Sequence, residues 1–305
     1  MTDLSIVIVN WNTRDLLAQC LDSIREVGGD LPLEVIVVDN ASTDGSVEMM
    51  EKRFPEVRRI VNEENEGFVQ ANNQALSQCQ GRTVLLLNSD TRLLPGALEV
   101  PLRFMEQHPK VGMVGVKLLN DDRSFQASYT PFPTLWREFL ILSGLGRRLI
   151  RPSFPSHGPP EDGKARPISG YVEGAYMLAR RRAIEEVGGL DERIFMYAED
   201  VDWCYRFEQS GWEIWFLPQV SIIHYGGQST CKRQRRMEAE LYRSRVYFFE
   251  KHYGRWTAAA LRAMIYVLTG VKIVVYRGLR LVTGGKRGRL VTSWRELRWA
   301  LKRTE

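Results

Sequence analysis

Five acidic side chains stand at or just beyond points where this chain's regular patterns begin or end. Asp39 closes the run 34–39 (EVIVVD), Asp90 follows 83–87 (TVLLL) through Asn88-Ser89, and Glu199, Asp200 and Asp202 crowd just ahead of a helical pattern. Carboxylates so placed can hold a divalent cation, take a proton from a hydroxyl, or cap the helix that follows. The first apolar run ends in Asn10-Trp11-Asn12, and the chain contains neither G-x-G-x-x-G nor G-x-x-x-x-G-K-[ST], so the usual glycine cradles for phosphate are excluded. A nucleotide bound at these strand ends therefore needs another counter-charge for its diphosphate, and a cation held by carboxylates is the one available. Taken alone, Asp90 also reads as a turn or N-cap aspartate, and Asp39 as the cap of the next helix. His224 follows Asp200 in the sequence, and a lone histidine is more often structural than a ligand. Trp203, Trp212 and Trp215 can stack on sugar faces, but core packing is the safer reading for at least two of them.

The elements that must carry these groups follow from apolar spacing. Residues 4–9 (LSIVIV), 34–39, 57–61 and 83–87 read as strands. They alternate with helices at 13–27, where Leu16, Leu17, Cys20, Leu21 and Ile24 share a face, after NASTDGS, and at about 68–79. Fully apolar strands alternating with helices predict an α/β fold with a mostly parallel sheet covered on both faces, whose ligands sit at the carboxyl ends of the strands. Further on, the pattern predicts a helix to about 107, a strand at 112–117 and a proline-rich loop at 152–167. It then predicts a strand at 171–178, a helix at 180–187 and two short strands ending at His224. Beyond Gly227 the chain reads helical over 234–253, 256 to about 282, and 292–302.

Several segments, taken in order, carry a resemblance. Asp39-Asn40-Ala41-Ser42-Thr43-Asp44-Gly45-Ser46, Asn65-Glu66-Gly67-Phe68 with Asn72-Asn73, and Leu87-Asn88-Ser89-Asp90-Thr91 come first. Gly188-Gly189-Leu190-Asp191-Glu192 through Glu199-Asp200-Val201-Asp202-Trp203-Cys204-Tyr205-Arg206 follows, then Pro218 and His224. Over residues 5–229 the chain resembles the family 2 inverting glycosyltransferases, and within them the bacterial rhamnosyltransferase-like subgroup. The resemblance implies a GT-A fold in residues 1–229, with a donor half of about 1–117 and an acceptor half of about 118–229, followed by a helical extension over 230–305. It implies a nucleotide-sugar donor held by Asn10, Asn12, Asp39, Asn65, Gly67, Asn72 and Asn88, with Asp39 on the pyrimidine. Asp90, with His224, would hold Mg²⁺ or Mn²⁺ against the diphosphate. Asn88 stands where the family has the first aspartate of its metal motif and supplies no charge. Asp200 matches the general base, Glu199 an acceptor-positioning group, and Trp203 an acceptor contact. Asp202 is expected in the first helical turn, favoured by the dipole. The implied enzyme is a metal-dependent hexosyltransferase that moves L-rhamnose from dTDP-rhamnose to a cell-envelope or polyprenyl-linked glycan. Galactofuranose, N-acetylglucosamine and glucose donors stay open.

Composition narrows the alternatives. The 305 residues, 44% hydrophobic and 26% charged, exclude a disordered or polytopic membrane chain. Four widely spaced cysteines make neither a disulfide framework nor a zinc site, and the N-terminal apolar run lacks a signal peptide's basic flank, so a cytoplasmic location is expected. After Cys231 there are 19 Lys and Arg against 5 Asp and Glu, a balance of +14, whereas the preceding residues carry 23 against 32, a balance of −9. A basic tail of this kind fits an anionic partner. Its 256–282 segment, with charges interrupting every apolar stretch, is too short in uncharged residues to span a bilayer. It reads either as an interfacial helix at the inner face of the membrane or as a helix packed on the body. A nucleotide-binding oxidoreductase fails at the missing glycine fingerprint. A non-catalytic membrane adaptor leaves Asp90 and the Glu199-Asp200 pair without a use, and no nucleic-acid module is present.

Overall fold

The computed structural model describes residues 2–158, 162–226 and 234–283, without the side chains of 234–239 and 276–283. Its first half is built from β1 (Leu4–Asn10), α1 (Arg14–Gly28), β2 (Leu33–Asp39), α2 (Ser46–Arg53), β3 (Arg58–Val61), α3 (Phe68–Leu76) and β4 (Thr83–Asn88). Next come β5 (Thr91–Leu93), α4 (Glu99–Gln107), β6 (Val111–Leu119), β7 (Phe125–Gln126), β8 (Tyr129–Pro131), α5 (Leu135–Ser143) and α6 (Leu145–Leu149). They are followed by β9 (Arg166–Pro167), β10 (Gly170–Val172), β11 (Tyr176–Arg180), α7 (Arg181–Val187), α8 (Glu199–Gln209), β12 (Glu213–His224), α9 (Gln234–Tyr253) and α10 (Arg255–Thr283).

One large sheet runs β3-β2-β1-β4-β11-β6-β12-β5, with β7 on β6 and β9 on β12, while β8 and β10 pair separately. The first four strands are parallel, β11 is antiparallel to both neighbours, and β6 and β12 are again parallel. This is the mostly parallel, helix-flanked α/β sheet expected. Leu4, Ile6 and Ile8 of β1 pack with Leu17, Leu21 and Ile24 of α1 and with Leu85 and Leu87 of β4, all essentially buried. Helix α1 supplies these at three- and four-residue spacing, which is one face of a helix. Register then places the polar residues: Asn10 pairs with Asp39, and Val9 with Asn88, so the carboxyl ends of β1, β2 and β4 lie level.

Several expected elements differ. The strand read over 171–178 is two strands in two sheets, because Glu173-Gly174 interrupts it. The two short strands before His224 are one twelve-residue strand that shifts register against β6 between Leu217 and Ser221, around Pro218, which has no N–H to donate. Thr91–Leu93 forms a short strand, not expected from the pattern, that pairs with the end of β12. Helix α3 stops at Leu76 and α4 begins at Glu99. Helices α5 and α6 were not anticipated. The expected helix over 292–302 lies outside the described residues.

The chain divides into two compact units, Met1–Phe132 with Ser156–Phe195 and Glu199–Ser229, and Pro133–Pro155 with Met196–Ala198 and Thr230–Glu305. The second unit thus takes residues 133–155 out of the expected 1–229 body. Within it α5 packs on α10, and the Glu138 carboxylate pairs with Arg245 of α9 at 2.5 Å, both side chains largely buried. The stretch Arg255–Val275 of α10 is, by length and composition, apolar enough to cross a membrane, contrary to expectation. Its best window has a mean hydropathy of 1.8, with 28% buried.

Candidate active site

The floor of the site is a hydrogen-bonded seam across the level strand ends. Asn10 donates from Nδ2 to Asp39 Oδ2 at 2.8 Å and accepts at Oδ1 from Thr13, whose hydroxyl lies 3.0 Å from Ser89 Oγ. The other Asp39 oxygen accepts from the Ser42 N–H at 2.8 Å. Asn10 and Asp39 are fully buried. Asn72 is buried too, and its amide donates to Phe68 of its own helix. These three therefore build the floor, and in this conformation none offers the direct ligand contact expected of it. Asn12 and Asn65 are exposed. Asn12 stands at φ 53° and accepts from the Thr43 N–H, and Asn65 accepts from the Gly67 N–H. Gly67 has φ 88°, which favours glycine, and a Cβ there would lie 2.9 Å from the half-exposed Phe195 ring.

At the end of β4, Asn88, Asp90 and His224 converge. His224 Nε2 is 3.3 Å from Asp90 Oδ1 and 3.5 Å from Asn88 Nδ2. The edge pairing of β5 with β12 holds them there, together with the Tyr225 N–H donating to the Asp90 carbonyl. Gln126 completes the arrangement: its Oε1 lies 2.7 Å from His224 Nδ1, and its Nε2 donates to the His224 carbonyl. The contact of Nδ1 with Gln126 leaves Nε2 as the nitrogen turned toward Asp90, and such a partner on the far nitrogen is what orients a metal-ligating imidazole. No group of three or more His, Cys, Asp or Glu side chains positioned to hold a metal exists among the described residues. One carboxylate and one imidazole fit a hard cation that completes its shell with water and substrate phosphate, as Mg²⁺ and Mn²⁺ do.

The Glu199-Asp200 pair opens α8 and is joined to the Asn88 end through two residues. The Asn88 N–H donates to the Ala175 carbonyl, and the neighbouring Gly174 N–H donates to Asp200 Oδ2 at 3.3 Å. Asp200 Oδ1 also accepts from its own helix at the Val201 N–H. Tyr197 and Ala198 enter the helix at φ 65° and 69°, a left-handed pair costing roughly 1–2 kcal/mol per residue that the surrounding structure must hold. Glu173, beside Gly174, accepts from Thr130, whose hydroxyl is 2.7 Å from Ser156 Oγ.

Burial, and then the nearby Asp200 charge, push the Glu199 carboxyl up to about 8. Its Oε2 is buried without a hydrogen-bond partner. At neutral pH Glu199 is therefore protonated, and Asp200, with two amide donors, carries the pair's negative charge. A carboxyl raised in the folded state stabilises fully below its unfolded value and loses that contribution as pH climbs through its folded value. The stability of the protein is predicted to fall from about pH 4.5 to 8 on this account, and Glu199→Gln to flatten that slope. Melting temperatures across the range check it, and an unchanged slope in the variant would refute it.

The remaining residues of α8 are anchors. Trp203 is fully buried, donates to the Gly188 carbonyl at 2.9 Å and meets Phe207 edge-on. It touches no open surface, which corrects its expected acceptor role. Asp202 lies in the first turn, as expected, where it is also buried and paired with Arg206 at 2.8 Å. The same guanidinium donates to the Val187 and Gly189 carbonyls, so the buried pair is well satisfied. Asn73 exchanges two hydrogen bonds with the Leu190 backbone, and a Cβ on Gly189 would meet its Oδ1 at 2.7 Å. The Gly188-Gly189-Leu190 segment thus ties α8 and its acidic pair to α3. Trp215 packs against Phe104 and His108.

This geometry can bind a cation and an anionic ligand at one end and take a proton at the other. Several known proteins are similar to this chain. The N-acetylglucosaminyl-diphospho-decaprenol L-rhamnosyltransferase of Mycobacterium tuberculosis is 28% identical over 317 residues, covering 93% of this chain and 99% of its own length. A hexosyltransferase of low-salt glycan biosynthesis from Haloferax volcanii is 25% identical over 73% of this chain and 67% of its own. Among solved structures, a mannosyltransferase from Pyrobaculum calidifontis in complex with GDP-Man and Mn²⁺ aligns over 98% of this chain and 86% of its own, with TM-score 0.55 and 17% identity. TarS of S. aureus aligns over 83% of this chain and 44% of its own, with TM-score 0.52 and 19% identity. Both likenesses are of fold, which is GT-A. Residues 5–188, more than half of the chain, match the family described as Glycosyl transferase family 2, and the protein is a member of that family.

Proposed function

We propose that the chain is an inverting, metal-dependent hexosyltransferase that moves L-rhamnose from dTDP-rhamnose to a polyprenyl-linked glycan of the cell envelope, working at the inner face of the membrane. Likeness to the mycobacterial enzyme over 93% of this chain and 99% of that enzyme supports the substrates. The observation that supports the reaction is the link from the Asn88 N–H to the Ala175 carbonyl and from the neighbouring Gly174 N–H to Asp200, which connects the proposed base to the strand end that carries Asp90 and His224.

Inversion needs one displacement at the anomeric carbon, with one base and no covalent intermediate. Asp200 takes the proton from the acceptor hydroxyl as that oxygen attacks. Protonated Glu199 keeps the like charge away from it and has an O–H to donate to an acceptor oxygen. Asp90 and His224 would hold Mg²⁺ or Mn²⁺, which neutralises charge on the leaving diphosphate when bound. Gln126 keeps the imidazole turned for that task. Asn88, uncharged, leaves Asp90 as the anionic ligand of the motif. Asn12, Asn65 and Gly67 line the donor side, on the floor built by Asn10, Asp39 and Asn72.

The test is a panel of nucleotide sugars with Mg²⁺ or Mn²⁺, read by thermal shift. A donor present at 100 times its Kd stabilises by about 2.7 kcal/mol. dTDP-rhamnose is expected to give the largest shift. A larger shift with another nucleotide sugar would replace the proposed donor, and none with any would contradict the reading.

A further inference from the structure

Helix α10 is apolar on two opposite sides. Ala258, Leu261, Ile265, Thr269 and Ile273 are buried and recur at three- and four-residue steps, the stripe that packs within the second unit. On the other side Trp256, Val267, Val271, Val274 and Val275 are 50–76% exposed. Between 256 and 275 every exposed residue is Ala, Val or Trp, a composition that water does not favour. The same unit exposes Trp136 of α5, at 65%, and Leu149 and Ile150 at the end of α6, at 71% and 52%. Most of the large exposed hydrophobic side chains among the described residues are thus gathered in this one unit.

From these observations we infer that α10 and the α5–α6 segment together form a monotopic membrane-docking surface, which lies in the plane of an anionic leaflet. The basic groups next to the α6 end, and the lack of acids near either segment, select that occupant. Exposed Arg147 and Arg148 immediately precede Leu149 and Ile150, residues 145–151 contain no acid, and none occurs from 251 to 295. Basic side chains beside buried apolar ones are the mark of an interfacial helix on anionic lipid. The buried stripe argues against a crossing helix, because one face of the helix is already covered by protein. A two-fold pairing with a second copy would set like charges together. This surface deepens the membrane reading proposed above, and it owes nothing to the choice of donor or acceptor. The α5–α6 part lies outside the basic tail that composition singles out.

Full-length protein is to be floated with vesicles of phosphatidylglycerol and phosphatidylethanolamine, and with vesicles of phosphatidylcholine alone. Binding to the anionic vesicles that weakens as salt rises is expected. Val267→Glu with Val271→Glu, and separately Leu149→Glu with Ile150→Glu, should each lower the bound fraction at least tenfold while melting temperature and donor hydrolysis stay unchanged. The four positions are exposed, so the folded state tolerates the substitutions. As a second readout, an environment-sensitive dye on Leu149→Cys or Val271→Cys, in a Cys231→Ser background, should shift blue with anionic vesicles, whereas one on Glu64→Cys should not. Undiminished binding in either double variant, or a concentration-dependent dimer that the valine variant abolishes without vesicle binding, would overturn the inference. Loss of donor hydrolysis alone would count against the transfer reaction and leave the surface standing.

Discussion

Replacing Asp200 by asparagine is expected to leave the fold and donor binding intact while lowering transfer at least about a hundredfold, the size of effect a positioned general base supplies. Asparagine keeps an oxygen for the Gly174 N–H at nearly the same position. It has no lone pair basic enough to take a hydroxyl proton. Steady-state kinetics with donor binding measured separately will distinguish the two effects: kcat should fall and Kd for the donor should not. Turnover within a fewfold of wild type would remove Asp200 from the mechanism. The protonated neighbour sharpens this expectation, since Glu199, raised to about 8, does not substitute as a base at neutral pH.

The second large effect is expected at Asp90. Removal of divalent cation by EDTA should abolish activity. Asp90→Ala should weaken donor binding about a hundredfold or more in Mg²⁺ or Mn²⁺, since charge stabilisation by a bound cation amounts to several kcal/mol. Without metal the variant and the wild type should bind donor alike. The Tyr225 N–H bonds to the Asp90 backbone carbonyl, so the β5–β12 edge survives loss of the side chain. Full activity in chelator would mean that Asn88, in place of the usual first aspartate, marks a site that works without a cation.

Much of the fold was legible because it rests on local pattern. Strands β1, β2 and β4 are unbroken apolar runs whose polar residues stand at their ends, and burial on both faces leaves such runs no other reading. What escaped depends on contacts between distant segments. Gln126 touches His224 across 98 positions, and nothing in its neighbourhood marks it as the group that turns the imidazole. Asn10, Asp39 and Asn72 have the residue types of ligand contacts, but only the fold shows that their polar atoms face one another and the backbone. Trp203 carries a side chain equally able to stack on a sugar or fill a core, and the Gly188 carbonyl decides for the core. One missed signal was available: Glu173-Gly174, set inside an otherwise apolar run, marks the break that delivers the Gly174 N–H to Asp200. Helix α5 was hidden for a different reason, since its charged Glu138 is buried against Arg245, more than a hundred residues away.

The reaction is tested most directly by the configuration of the transferred sugar. Full-length protein is to be given dTDP-rhamnose, Mg²⁺ and a short-chain polyprenyl-diphosphate N-acetylglucosamine. Mass spectrometry reads the acceptor and NMR reads the anomeric coupling of the new linkage. The expected product is an acceptor heavier by one deoxyhexose, joined with the anomeric configuration opposite to that of the donor, and no such product is expected from Asp200→Asn. Retention of the donor configuration, or release of dTDP with no glycosylated product from this or any acceptor of its class, would contradict the proposed reaction.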